Sequence, residues 1–317
     1  MKKIGILYGM ETTFPSALVD RINSKAVPGV TAEHMKIGAI KMAEPCPYQV
    51  IVDRISHDIE FYRAYLKNAA LGGTQVINNP FWWSADNRFF NYSLASRLGV
   101  AIPHTVILPH KDLPPGTTGQ TLRNLIFPLN WDEVFDYVGF PAILKPFNGG
   151  GWKNLHFVQS REDFFRAYDE TGVLCMMLQA QVKVDEYYRC YVVGQKEVRI
   201  IKYDPTLHHD QRYARETIIA SKSLEYRMRN DALVLCRALG YDVNSVEFAI
   251  HDGIPYAIDF LNPAPVADAY SIGQENFEWL VENVASLAID RALQPVAAPA
   301  YHWSQFLSEK QAEAATA

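Results

Sequence analysis

Through the first hundred residues, short apolar runs alternate with longer stretches whose apolar positions recur at helical spacing. Lys3 to Tyr8 is an apolar run that stops at glycine, as a buried strand does. Phe14 to Ser24 predicts a helix with Leu18, Val19 and Ile22 on its core side. A second short element is expected over Ala32 to Ile40. Tyr48 to Ser56 reads as a strand, DIEFYRAYLKNAALGG as a helix stopped by its glycines, and TQVINNP as a further strand. SADNRFFNYSLASRLG reads as a helix with a Ser/Asp cap, closed at Gly99, and PHTVILP as one more strand. The alternation predicts a small parallel α/β domain over residues 1–108. No GxGxxG follows the first strand, so the dinucleotide fingerprint is absent.

PHKDLPPGTTGQ, residues 109 to 120, is rich in Pro, Gly and Thr and marks a linker. Beyond it the pattern changes from alternation to runs of strands. A helical stretch ends in DYVGFP; the strands AILKPF and LHFVQS, the Ser-capped helix SREDFFRAYDE and the strand-like GVLCMMLQAQV follow. YYRCYVVGQKEVRIIKYD predicts a hairpin turning at Gly194-Gln195, and SLEYRMRNDALVLCRALG a long helix ending at Gly240. SVEFAI and PYAIDFLN form a second hairpin through HDG, and a last helix is expected from Asn276 to Ala292. The expected class is α/β followed by α+β, divided into 1–108, 109–183, 184–295 and a frayed tail over 296–317.

Composition narrows the function classes. The chain has 317 residues, 49% of them apolar, enough for a large core. The net charge of −5 and the absence of a Lys/Arg run argue against a nucleic-acid binder. Cys46, Cys175, Cys190 and Cys236 have no zinc spacing and read as buried free thiols in a reducing compartment. No window reaches membrane-span length and the N-terminus reads as a strand, so a cytoplasmic protein with no membrane partner is expected.

Four features carry chemistry. Lys145 ends the apolar run AIL and must point at something polar. Gly149, Gly150 and Gly151, with Lys153 beside them, form either a cover over phosphates or a plain surface turn. In MLQAQVKVDEYYR a strand runs into a loop whose backbone groups could meet an adenine edge, with Glu186 placed for ribose hydroxyls; an ordinary strand and loop is the competing reading. Glu247 and Asp259, with Asn262 behind, sit on the two strands of the HDG hairpin inside apolar sequence. Two carboxylates there repel and lose hydration, and a divalent cation relieves both costs; oxygen donors suit Mg²⁺, with Mn²⁺ as the alternative.

In this order, these motifs resemble the ATP-grasp superfamily, beginning at GFPAILKPFNGGG and spanning roughly Asn78 to Asp290. The resemblance implies a pre-ATP-grasp α/β domain followed by a two-lobed ATP-grasp fold. It implies that Lys145 and the glycine loop bind nucleotide phosphates, and that Gln179, Ala180, Gln181 and Val182 form the adenine segment, with Ala180 where the family carries an acid. EYYRCYVVG points to Arg189. Glu247, Asp259 and Asn262 match the family's metal ligands, with one residue more between the last two than is usual. Either a bulge absorbs that residue or Asn262 is displaced.

The branch implied is a carboxylate–amine or carboxylate–thiol ligase, similar to glutathione synthetase and the ribosomal-protein glutamate ligases, with ATP and Mg²⁺ as cofactors and small-molecule substrates. A kinase or carboxylase and a non-catalytic nucleotide-binding module are the competing readings. Arg199 and Lys202 are candidates for neutralising the transferring phosphoryl group, and Arg212 and Arg215 for holding a substrate carboxylate; a solvated basic loop is the alternative for all four. His208 and His209 read as polar loop residues, and Phe81, Trp82 and Trp83 as packing or pocket lining. A homodimer is compatible with the family.

Overall fold

The computed structural model describes residues 1–81, 87–148, 153–208, 211–214 and 217–294. The chain divides into two compact units, one of residues Met1–Phe81 together with the segment from Phe277 onward, the other Trp82–Asn276.

The first unit opens with β1 (Lys2–Leu7), α1 (Phe14–Ser24), β2 (Val30–His34), β3 (Val50–Asp53), α2 (Glu60–Leu71) and β4 (Gln75–Ile77). The strands pair in parallel in the order β2-β1-β3-β4. Ile4 and Ile6 of β1 and Val50, Ile51 and Val52 of β3 are essentially sealed, as central strands of a parallel sheet must be. Leu7 and Ile51 pack against Tyr65, Leu66 and Ala69 of α2, with Met35 in the same cluster. A Cβ at Gly5 on β1 would lie 2.5 Å from the Met35 sulfur and 2.9 Å from the Tyr48 ring, so a larger residue there would displace those side chains.

The second unit contains α3 (Arg88–Arg97), β5 (Thr105–Leu108), α4 (Trp131–Val138), β6 (Ala142–Pro146), β7 (His156–Val158), α5 (Arg161–Asp169) and β8 (Met176–Ala180). It continues through β9 (Glu186–Val193), β10 (Glu197–Lys202), α6 (Lys222–Leu239), β11 (Val243–His251), β12 (Ile254–Asp259) and α7 (Ala269–Ile272). Two antiparallel sheets result, β5-β8-β6-β7 and β10-β9-β11-β12. Leu144, Leu178 and Met176 of the first sheet join Phe135 and Phe164 of α4 and α5 in one core. The second sheet packs Cys190, Val192, Val246 and Phe248 against Met228, Leu235 and Cys236 of α6.

Local signals explain the ends of these elements. Ser160 and Ser221 accept hydrogen bonds from the Asp163 and Leu224 N–H groups, capping α5 and α6. Gly194 and Gln195 both have positive φ, as do Asp252 and Gly253, giving the twisted two-residue turns that hairpins favour.

The structure departs from the sequence reading in four places. Thr105–Leu108 does not extend the parallel sheet; it pairs antiparallel with β8, because a lone apolar run carries no mark of which sheet it will join. The α3 cap is Asn87, whose side chain accepts from the Phe90 N–H. The element expected over Ala32 to Ile40 is β2, which ends at His34. The last helix, α8 (Gln274–Leu293), belongs from Phe277 onward with the first unit, not with the strands before it. There Phe14 meets Phe277 edge to face, and Arg21 donates to Glu278 (2.6 Å) and Glu282 (2.7 Å), with Lys25 also on Glu282.

Hydrogen bonds from Lys25 and Arg21 hold the Glu282 carboxyl below the ordinary carboxylate range. A carboxyl whose folded pKa is depressed contributes stability above its unfolded pKa and loses it as pH falls through the folded value. Thermal melts from about pH 7 to pH 3 are expected to show a shallower acid limb for Glu282→Gln than for wild type; superimposable limbs would refute the linkage.

Candidate functional site

Strand periodicity splits the second sheet into two faces. Tyr188, Cys190 and Val192 of β9 turn toward α6, so Arg189 and Tyr191 turn the other way. Arg189 is only 7% exposed. Its guanidinium pairs with Glu247 and donates to the Tyr213 hydroxyl. It also lies over the Tyr203 ring at 4.1 Å and the Tyr213 ring at 5.4 Å. Burial alone lowers its pKa; Tyr213, Tyr191, Tyr203 and the Asp259 carboxylate outweigh that and raise it above the usual arginine value. Tyr213 arrives from the loop after β10. That loop is folded back by a Tyr203–Tyr213 bridge and by bonds from Asp204 N–H to the Arg212 carbonyl (2.9 Å) and Ala214 N–H to the Lys202 carbonyl (3.0 Å).

Glu247 and Asp259 are direct partners across β11 and β12. The register shifts next to them: Phe248 pairs with Ala257, so Ile258 is the extra residue of a bulge. The bulge lies one residue ahead of Asp259, not between Asp259 and Asn262. Asp259 is exposed, while Glu247 and Asn262 are half-buried.

Lys145 finds the polar partner that its strand requires. Its Nζ donates to Gln179 Oε1 at 2.8 Å and to the Tyr92 hydroxyl at 3.3 Å. Gln179 is buried and held by its own donation to Thr105 Oγ1, 2.8 Å. Tyr92 in turn donates to the carbonyl of Ile258, the bulged residue, at 3.0 Å. One phenolic oxygen thus joins the lysine of the first sheet to the backbone beside Asp259 in the second. The sequence reading missed Tyr92. Its only trace there is a tyrosine at an apolar position of a helix, whose hydroxyl must find a partner once buried.

The remaining predicted residues scatter. Two of the backbone donors expected to face adenine are already used: Ala180 N–H bonds the His104 carbonyl (2.8 Å) and Gln181 N–H the Pro141 carbonyl (3.0 Å). Both bonds follow from β8 lying between β5 and β6; Val182 is half-buried. Glu186 lies on the α6 face with Tyr188 and Lys202. Hydrogen bonds from Lys202 (2.6 Å) and Tyr188 (2.9 Å) hold its carboxyl below the usual range. Arg199 is committed to Asn276 (2.9 Å) and Glu275, and Arg212 to the Leu207 carbonyl of its own loop (3.0 Å). Lys153 is exposed. Gly149, Gly150, Gly151, Arg215, His209, Trp82, Trp83 and the 296–317 tail lie outside the described residues; Phe81 packs against Lys67. All four cysteines are free; Cys190 and Cys236 are buried, and burial pushes the Cys236 thiol up to about 12. Asp185, His251 and Asp252 gather at the hairpin tip, with both acids exposed.

No protein-family model matches the sequence, and no curated protein matches it. Solved structures do match in fold. D-alanine–D-alanine ligase from Bacillus anthracis, complexed with ATP, is 15% identical, with a TM-score of 0.58 over 93% of this chain and 98% of that one. A RimK domain ATP-grasp protein from Sphaerobacter thermophilus is 15% identical, with a TM-score of 0.62 over 92% and 99%. The ATP-grasp ligase PsnB, complexed with minimal precursor, Mg and ADP, is 12% identical, with a TM-score of 0.60 over 92% and 98%. The chain has the ATP-grasp fold. Among the described residues no helix is long and apolar enough to cross a membrane.

Removing Arg189 leaves the half-buried Glu247 carboxylate without its partner. Arg189→Ala is expected to lower unfolding stability by about 3 kcal/mol in chemical denaturation. Unchanged stability would mean that the pair is not formed in solution.

Proposed function

We propose that this protein is an ATP- and Mg²⁺-dependent ligase that activates a substrate carboxylate as an acylphosphate for attack by an amine or thiol. The observation that carries the reading is the opposed pair Glu247 and Asp259, with Asn262 after it, joined through Tyr92 to Lys145. A strand pair that sets two carboxylates side by side suits a cation. The donor set fits Mg²⁺: it is all oxygen, Asp259 faces solvent, and Arg189 engages Glu247 through Oε1. When bound there, the ion would neutralise charge on the nucleotide phosphates.

The chain's own residues do the rest. Lys145 pairs with phosphate, its Nζ oriented by Gln179 and Tyr92. Arg189 holds the Glu247 carboxylate in place. Residues 149–151, which lie outside the described residues, are the sequence's candidate for keeping water from the acylphosphate. The substrate carboxylate oxygen attacks the γ-phosphorus, and the bond to the β,γ-bridging oxygen breaks to release ADP. The amine or thiol then attacks the acyl carbon, the carbon–oxygen bond to phosphate breaks, and the nucleophile gives up its proton. Such chemistry rests on positioning and charge neutralisation more than on a strong general base. The amide or thioester formed keeps the two substrate fragments joined, with small-molecule carboxylate and amine or thiol compounds as the partners.

Calorimetry is expected to show ATP binding that tightens with Mg²⁺ in wild type and loses that tightening in Asp259→Asn. In a screen of carboxylate and amine pairs, ADP and an amide are expected. Lys145→Ala and Asp259→Asn should each lower turnover by about a hundredfold or more with unchanged circular dichroism. ADP with a stable phosphate ester would make the protein a kinase, and retained turnover in both variants would remove the mechanism.

A further inference from the structure

β12 is the edge strand of its sheet, so the backbone groups on its outer side need partners from elsewhere. Two of them find partners on α3 and the segment behind it. The Ala257 N–H donates to the Ala101 carbonyl at 2.9 Å, and the Ile258 carbonyl accepts from the Tyr92 hydroxyl at 3.0 Å. Tyr92 is buried, and its ring meets that of Phe260 edge to face with centroids 5.5 Å apart.

These two bonds fall on the bulge that decides which way Asp259 points. From the turn onward the hairpin pairs without a break, Ile254 with His251 through to Ala257 with Phe248. An unbroken ladder would then set Ile258 opposite Glu247 and Asp259 opposite Val246, whose side chain is sealed against α6. A slip of one residue moves a side chain to the other face of a sheet. The acid would enter the apolar core, away from Glu247. The bulge prevents this: Asp259 pairs with Glu247, and its charge acts on the Arg189 guanidinium of the same face. Burial of both Ala257 and Phe260 on the α6 face requires one extra residue between them. That requirement is met whichever of residues 258 and 259 stands opposite Glu247. The choice falls to the backbone bonds, and they are made at Ala257 and Ile258.

We propose that Tyr92 is a positioning residue for the metal site: by holding the Ile258 carbonyl, with Ala101 on the Ala257 N–H, it keeps Ile258 out of the ladder and Asp259 opposite Glu247. The proposal rests on the ligase reading and deepens its metal site. The contact with Lys145 is a separate role of the same hydroxyl.

The test reads ADP binding by calorimetry with and without Mg²⁺; the ratio of the two affinities is the contribution of the metal. Tyr92→Phe keeps the ring against Phe260 and loses the hydroxyl, with folding checked by circular dichroism. It is expected to cut the ratio about tenfold or more, whatever it does to metal-free binding through Lys145. If Tyr92 acted through Lys145 alone, metal-free binding would weaken and the ratio would keep its wild-type value. That result would overturn the proposal and leave the ligase reading standing. In Asp259→Asn the ratio is already reduced, and adding Tyr92→Phe should reduce it no further, because both substitutions remove one function. A further fall would also overturn the proposal. Deleting Ile258 supplies a rescue: the turn alone then sets Asp259 opposite Glu247, so adding Tyr92→Phe should leave the ratio of the deletion variant unchanged, and a fall there would count against the proposal. If the deletion variant does not fold, the first two comparisons decide. A wild type whose ADP binding ignores Mg²⁺ would remove the metal site and this proposal together.

Discussion

A guanidinium with less than a tenth of its surface exposed is costly to bury without compensating partners, and its neighbours in the second unit supply them to Arg189. Glu247 brings the opposite charge from the next strand, and Tyr203 and Tyr213 bring ring faces and a hydroxyl from the loop after β10. The loop is therefore fixed by the same charge that fixes the carboxylate. Removing that charge would take from the loop the contacts its two tyrosines make, leaving its backbone bridge and hydrogen bonds.

The candidate site is assembled by side chains that tie backbone to backbone, not by its loops. Tyr92 connects Lys145 to the Ile258 carbonyl, and Asn244 connects β11 to the segment beyond β12. Both are buried, and both make hydrogen bonds that no hydrophobic residue of equal size could replace. Asp259 at the end of β12 thus takes its backbone position from the core beneath it. Asp259 itself remains open to solvent.

Much of this was legible in the chain, for identifiable reasons. That Glu247 and Asp259 sit on the two strands of one hairpin could be read from the HDG turn, where Asp252 and Gly253 adopt the conformation such a turn demands; their facing could not, since the turn alone sets Glu247 opposite Ile258 and the bulge brings Asp259 there. Lys145 could be read as needing a polar partner because its strand is apolar. The identity of that partner could not, since Gln179 and Tyr92 are brought to it only by tertiary packing. Arg189 was marked by its motif, but its pairing with Glu247 depends on β9 lying next to β11, an order that strand patterns do not encode. The same gap explains β5, whose sequence suits either kind of sheet. It explains Glu186 and Lys202 too: alternation along β9 and β10 puts them on the α6 face, away from Arg189.

The return of α8 to the first unit has a consequence for how the chain is made. The parallel sheet is made before the second unit, yet the helix residues that meet Phe14 and Arg21 come after the whole of that unit. Lys2 even donates to the Leu293 carbonyl at 3.2 Å, so the first strand waits for one of the last helical turns. Units fold as they are released. The second unit can close on itself during synthesis, whereas the first spends that time with the α1 surface uncovered. The span between synthesis of β4 and of α8 is thus the interval in which the nascent chain most needs shielding from its neighbours.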